Sequence, residues 1–196
     1  KGVYKGNVFL FTGSLPETSD ILKNYLTQAE IKKLQRIQYL GNICLVLQLT
    51  SSLSSTYWLN INDSGFPFVG VIEHTNLDKS DNYKGKHIVY LSRFLATSNP
   101  IWSYNNEDYF NYAIFHLKKM FPEFSKEWAV DYGIWRSAYV QPVTERNYSK
   151  LIPPEKLPFT NGYISTMAHI YPEDRGTNYA MRNGENIAKK ILRECY

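Results

Sequence analysis

The middle of the chain constrains the fold most. Four apolar runs, Ile43–Leu49, Tyr57–Ile61, Phe68–Glu73 and His87–Phe94, follow one another with only turn-forming residues between them. The separators are a serine-rich stretch (Ser51–Ser55), Asp63-Ser64-Gly65 and a polar stretch (Asp78–Gly85), all too short for a crossover helix. Strands joined this way pair antiparallel, so this part of the chain forms a sheet whose apolar face needs a cover. A helix follows directly. Asn105-Asn106-Glu107-Asp108 opens it, with Tyr109, Ala113, Leu117 and Met120 on one face. Acidic residues in its first turn and Lys118-Lys119 in its last complement the helix dipole, and Pro122 ends it. Glu127–Val140 then reads as a long extended run. Within these runs Tyr57, Trp58, Trp135 and Tyr139 are expected as core aromatics rather than pocket walls.

The flanks are shorter and more mixed. Asn7–Phe11 reads as a short buried strand closed by Thr12-Gly13-Ser14 and Pro16, followed by a helix over Glu17–Leu26. Thr27 and Glu30 form a capping box for a second helix with the stripe Ile31, Leu34, Ile37 and with Gly41 as its stop. Pro142, Pro153, Pro154 and Pro158 keep the 141–158 stretch irregular. Gly162–Met167 reads as a strand, and a helix runs from about Thr177 to Arg193. The expected class is α+β: a mixed or antiparallel sheet with helices, plus a strand–turn–helix unit at the end.

Composition removes several functions. Twenty-two basic and eighteen acidic residues are scattered along the chain, with no stripe of Lys and Arg for a nucleic acid. The longest apolar runs are too short to span a bilayer, and the opening at Lys1 carries no leader, so a cytoplasmic protein is expected. The chain starts almost inside a strand, as if cut from something longer. His74, His87, His116 and His169 are dispersed without metal-ligand spacing, and Cys44 and Cys195 cannot make a disulfide framework. Cys44, mid-strand among apolar residues, reads as an inert thiol. There is no G-x-S-x-G elbow and no phosphate-cradling P-loop.

One segment carries chemistry: GYISTMAHIYPEDRGTNYAMRNGENIA, Gly162–Ala188. A strand leads through Asp174-Arg175-Gly176 into a helix opening at Thr177-Asn178, whose free N–H groups suit an anion or an electron-rich carbonyl. Any strand–glycine–helix unit shares this physics. The wording itself resembles the C-terminal signature of FAD-dependent oxidoreductases of the amine oxidase, protoporphyrinogen oxidase and phytoene desaturase type. YWLNIND (Tyr57–Asp63), GVIEHTN (Gly70–Asn76), HIVYLSRFL (His87–Leu95) and AYVQPV (Ala138–Val143) extend the resemblance from about Asn7 to the C-terminus. It is specific to the family and not to a substrate.

By that resemblance, residues 1–40 are a remnant of a Rossmann-like FAD domain with a helical linker. Residues 41–140 are the substrate-binding domain, and 141–196 are the C-terminal strand–loop–helix of the FAD domain. The family binds the FAD pyrophosphate at an N-terminal G-x-G-x-x-G, and no G-x-G occurs in this chain. FAD is therefore expected in the full-length parent and absent from this piece, whose partners would be a small-molecule substrate and the missing N-terminal portion. Arg175, Gly176, Thr177 and Asn178 match the helix start beside the flavin, where N–H groups stabilise negative charge. Asp174 would fix Arg175 or cap the helix.

Glu73 and His74 end a strand of the family's substrate sheet and are expected to contact substrate, or else to form an edge turn. Tyr90, Ser92 and the alternating Arg93 suit a sheet beneath a pocket, with Arg93 an anion anchor if buried and a surface charge otherwise. His74 and His169 are the candidates for catalysis; His169, beside Met167 and Ile170, also reads as a packed histidine. A second possibility within flavoproteins is a part resembling UDP-galactopyranose mutase, with Arg93 and His74 on a nucleotide sugar. A third is a binding module without flavin.

Overall fold

Each element begins where local chemistry provides for its free backbone groups. The computed structural model describes residues 3–195. A three-residue strand, β1 (Phe9–Phe11), is followed by α1 (Leu15–Ile21) and α2 (Gln28–Gln35). Both helices open on a capping box, in which Ser14 and Glu17, or Thr27 and Glu30, satisfy each other's backbone N–H. The Thr27 box agrees with the sequence pattern. The Ser14 box starts α1 two residues ahead of the expected Glu17, and the helix ends at Ile21 rather than Leu26.

Gly41 corrects another expectation. Helix α2 ends at Gln35, and Gly41 lies inside β2 (Tyr39–Leu49). A Cβ there would come within 2.7 Å of the Trp102 ring and 3.0 Å of the Ser137 carbonyl oxygen. Only glycine lets the strand pass so close. The remaining strands are β3 (Trp58–Asn60), β4 (Gly70–Glu73), β5 (His87–Leu95), β6 (Ala129–Pro142) and β7 (Gly162–Ile164); the helices are α3 (Asn106–Met120) and α4 (Thr177–Cys195).

The chain divides into two compact units. One is Leu40–Gln141; the other joins the chain up to Tyr39 to the chain from Pro142 onward. The central unit holds a five-stranded sheet in the order β3-β4-β5-β2-β6. The β3/β4, β4/β5 and β5/β2 pairs are antiparallel, as the short turns require. Burial alternates along β2 from Leu40 onward, so Ile43, Leu45, Leu47 and Leu49 all lie on one face. They meet Val71, Val89 and Leu91 of the neighbouring strands and Tyr109, Ala113, Ile114 and Leu117 of α3. Each Val, Leu or Ile side chain among them stabilises the unit by about 1.5–3 kcal/mol when removed from water.

The opposite face of this sheet is open, which overturns the reading of four aromatics as core. Tyr57, Trp58, Trp135 and Tyr139 are 36–61% exposed. From Tyr132 onward the core-facing positions of β6 are the even ones: Tyr132 stacks on Phe110 of α3 at 4.1 Å, and Ile134 packs against the core. Trp135 and Tyr139 therefore point the other way.

In the second unit β1 and β7 pair parallel, Phe9 opposite Gly162 and Phe11 opposite Ile164. Leu15, Leu22, Leu34, Ile37, Tyr148, Leu157, Ile164 and Ala168 form its core. The Tyr148 hydroxyl donates to the Ala168 carbonyl (3.0 Å), which settles the one polar atom of a buried ring. Phe9 and Leu10 are exposed, so β1 is less buried than its composition predicts. Among the described residues no helix is long and apolar enough to cross a membrane.

Candidate functional site

Two places gather chemistry, one in each unit. In the unit built from the chain ends, a cleft of about 200 Å³ opens between the parallel strands and α4. Thr12 follows β1, while Ser165, Thr166 and Met167 follow β7, so the cleft lies at the carboxyl ends of both strands. That is where parallel α/β units bind ligands. Ala180, Asn183 and Gly184 form its wall on α4. A Cβ on Gly184 would meet nothing within 4 Å, so the helix leaves open space there. Asn183 Nδ2 donates to Ser165 Oγ at 2.8 Å and holds the wall to β7.

The start of α4 brings Arg175, Gly176, Thr177 and Asn178 into one turn. Thr177 and Asn178 are exposed, and the Ala180 N–H donates to the Gly176 carbonyl (2.9 Å). Asp174 does not cap the helix: its Oδ1 accepts from the Arg175 N–H at 2.8 Å, and Arg175 Nη2 lies 3.9 Å away. Burial lowers the Arg175 guanidinium pKa, and Asp174 opposes that shift. His169 lies beside this cleft's Thr166 and Ile170. Its Nδ1 accepts from the Thr166 N–H (3.1 Å), which leaves the proton on Nε2. Burial pushes its pKa down, while Glu155 and backbone contacts push the other way. It is a packed histidine closing a turn.

In the central unit the open sheet face carries a row running Trp58, Ile72, Tyr90, Val46 across four strands. Cys44 and Ser92 sit beside it, with burial raising the Cys44 thiol pKa, as expected for an inert cysteine. His74 flanks the row, its ring edge-on to Tyr90 at 6.1 Å and to Tyr83 at 5.5 Å. His74 Nε2 is 2.7 Å from the Tyr83 hydroxyl, which donates to Asp78 Oδ2 at 3.1 Å.

The two charged residues expected with Tyr90 and His74 do not join them. Glu73 pairs with Val89 on the core face and is 1% exposed. Its carboxylate accepts from Ser52 Oγ (2.6 Å), the Leu53 N–H (3.1 Å) and the Ser54 N–H (3.0 Å), with His87 Nδ1 at 3.5 Å. Arg93 pairs with Ile43, also on the core face, and donates to the Phe66 carbonyl (3.1 Å). Side chains alternate along a strand, so Arg93 and Tyr90 cannot share a face at this spacing. The partners that sequence reasoning misses are Tyr83 and Asp78. They sit in a polar turn with no motif, and only folding brings them to His74. Among the described residues no group of three or more His, Cys, Asp or Glu side chains is placed to hold a metal ion.

No family model matches the chain, and no curated protein matches it. Solved structures do. An oxidoreductase from Methanosarcina mazei is similar over 83% of this chain and 38% of its own, with a TM-score of 0.60 and 17% identity. A provisional protoporphyrinogen oxidase from Exiguobacterium sp. 255-15 is similar over 95% of this chain and 41% of its own (TM-score 0.65, 10% identity). Reduced UDP-galactopyranose mutase is similar over 76% and 33% (TM-score 0.59, 14% identity). The chain has the α+β fold of part of each of these proteins, and it spans between 33% and 41% of their length.

Proposed function

We propose that this chain is the substrate-binding and C-terminal cofactor-contacting part of a FAD-dependent oxidoreductase. The observation that carries the reading is the cleft at the carboxyl ends of β1 and β7, formed by the segment whose wording resembles that family. Likeness of fold to an oxidoreductase and to a protoporphyrinogen oxidase supports it. The residues present suit the cofactor: small side chains at Ala180 and Gly184, open space over Gly184, and exposed Thr177 and Asn178 at the mouth of α4.

Bound there, FAD would supply acceptance of a hydride or of electrons from the substrate. This chain's own residues would do the rest. The first-turn N–H groups of α4, at Thr177 and Asn178, would face developing negative charge with the helix dipole behind them. Arg175 and Gly176 would shape the approach, with Asp174 fixing the Arg175 backbone. Trp58, Tyr90, Trp135 and Tyr139 would offer flat apolar surface to a substrate. Glu73 would act at one remove, by holding the 52–54 loop in place. In this reading 1–40 and 141–196 belong to the cofactor domain and 41–140 to the substrate domain. The dinucleotide-binding motif would lie in the parent protein outside this chain.

A second reading is favoured by the likeness to reduced UDP-galactopyranose mutase: a part that binds a nucleotide sugar on the same open face. His74 could serve it there. Arg93, on the core face, could not without turning its strand.

Visible absorption of the full-length parent tests the cofactor. Flavin bands, and a melting temperature raised by added FAD, are the expected result. A colourless protein whose melting temperature ignores FAD would sink the reading. The isolated chain is expected to bind FAD weakly or not at all.

A further inference from the structure

The hydrogen-bond chain Asp78–Tyr83–His74 fixes where a proton sits. A carboxylate accepts only, so the Tyr83 hydroxyl, with one proton, donates it to Asp78 Oδ2 at 3.1 Å. Asp78 Oδ1 is held in turn by Asn82 Nδ2 at 2.7 Å. The Tyr83 oxygen is then an acceptor toward its other neighbour, and His74 Nε2, 2.7 Å away, must carry the hydrogen. Nδ1 of a neutral His74 is left with a bare lone pair. It makes no hydrogen bond among the described residues, yet it is not one of the buried unpartnered atoms, so solvent reaches it. His116 and His169 differ, because each has a buried ring nitrogen. The His74 backbone is fixed as well, its carbonyl accepting from the N–H groups of Leu77 (2.9 Å) and Asp78 (3.0 Å).

We propose that Asp78 and Tyr83 are positioning residues that lock His74 with its proton on Nε2, so that Nδ1 accepts a proton from an O–H or N–H group of a ligand lying against Tyr90. In that step one proton passes to Nδ1 and the bonding pair stays on the ligand's oxygen or nitrogen. The positive charge on the imidazolium is met through Tyr83 by the Asp78 carboxylate. The groups facing His74 are Tyr83 and Tyr90 by ring contact and Asp78 through Tyr83. The proposal rests on reading the open sheet face as the substrate side, but its chemistry is measurable without flavin or substrate.

The experiment is ¹⁵N NMR of the histidine rings in the whole chain under conditions where His74 is neutral. Wild type is expected to show a single Nε2–H tautomer. Asp78→Ala frees the Tyr83 proton to turn toward Nε2, so the Nδ1–H tautomer should rise several-fold. Tyr83→Phe removes the acceptor, and the Nε2–H signal should vanish into exchange while the amide spectrum keeps its fold. Ethoxyformylation at neutral pH should reach His74 at least several-fold faster than His116 or His169. An Nδ1–H tautomer in wild type, an unchanged tautomer in both variants, or a His74 as unreactive as the buried histidines would overturn the proposal. Failure of the cofactor reading would leave all these signals in place, so the two can fall separately.

Discussion

The two units are built on opposite plans. Leu40–Gln141 is contiguous, and its core is one sheet face under one helix. The other unit is assembled from both ends of the chain, and its parallel pair joins Phe9 to Gly162. No local pattern requires that pairing. The contrast extends to the sites. In the central unit the candidate residues His74, Tyr83 and Tyr90 lie on a half-buried sheet face beside an edge loop. In the other the candidate site is a cleft at strand ends, lined by residues of β1, the chain after β7 and α4.

The sharpest way to break the comparison is to remove the core of the contiguous unit. Leu45, fully buried at the centre of β2, is expected to cost about 2–5 kcal/mol when cut to alanine. Urea denaturation reads this directly. A loss below about 1 kcal/mol would mean that the β2 core carries less than its burial suggests.

Next comes Glu73→Gln. The amide retains one acceptor but turns an NH₂ group toward donors already aimed at the carboxylate. A loss of about 1.5–3 kcal/mol is expected, as for hydrogen bonds to a buried charge. Unchanged stability would mean that the 52–54 loop does not depend on the Glu73 charge.

The smallest effect sharpens the comparison. Burial lowers the pKa of His116 in the central unit and of His169 in the other. The unfolded chain then binds more protons below the ordinary value of 6.5, so stability rises with pH across that window. Stability should be fully present above about pH 7 and decline as pH falls through 6.5 toward the lower folded values. Thermal melts from pH 7.5 to 5 measure the slope. His116→Gln and His169→Gln should each flatten part of it, and the larger share marks the unit that keeps its histidine drier. A slope untouched by either variant would assign the acid sensitivity elsewhere.

Much of the fold is legible in the amino-acid pattern. Apolar runs between turn-forming residues mark β2 and β5, the Thr27–Glu30 pair marks the start of α2, and Asn105 to Pro122 bound α3 almost to the residue. Gly41 misleads because glycine serves equally as a helix stop and as a point of close approach, and only Trp102 decides between them. The aromatics mislead for a similar reason: composition marks Trp58 and Trp135 as apolar, but only the register shows which sheet face α3 covers.

The candidate sites divide in the same way. The residues at the start of α4 are adjacent in sequence and can be read as a group. Glu73, His74, Tyr90 and Arg93 can be named from the sequence, but not sorted. A strand turns successive side chains to opposite faces, and where each strand begins is a tertiary matter. By itself the sequence determined local structure: the strand-rich middle, the capped helices and the glycine before α4, because these depend on neighbours within a turn or two. Tertiary structure alone decided which ends pair, which face stays open and which polar groups meet. Those depend on contacts between residues far apart in the chain, such as Phe9 with Gly162, that no local pattern encodes.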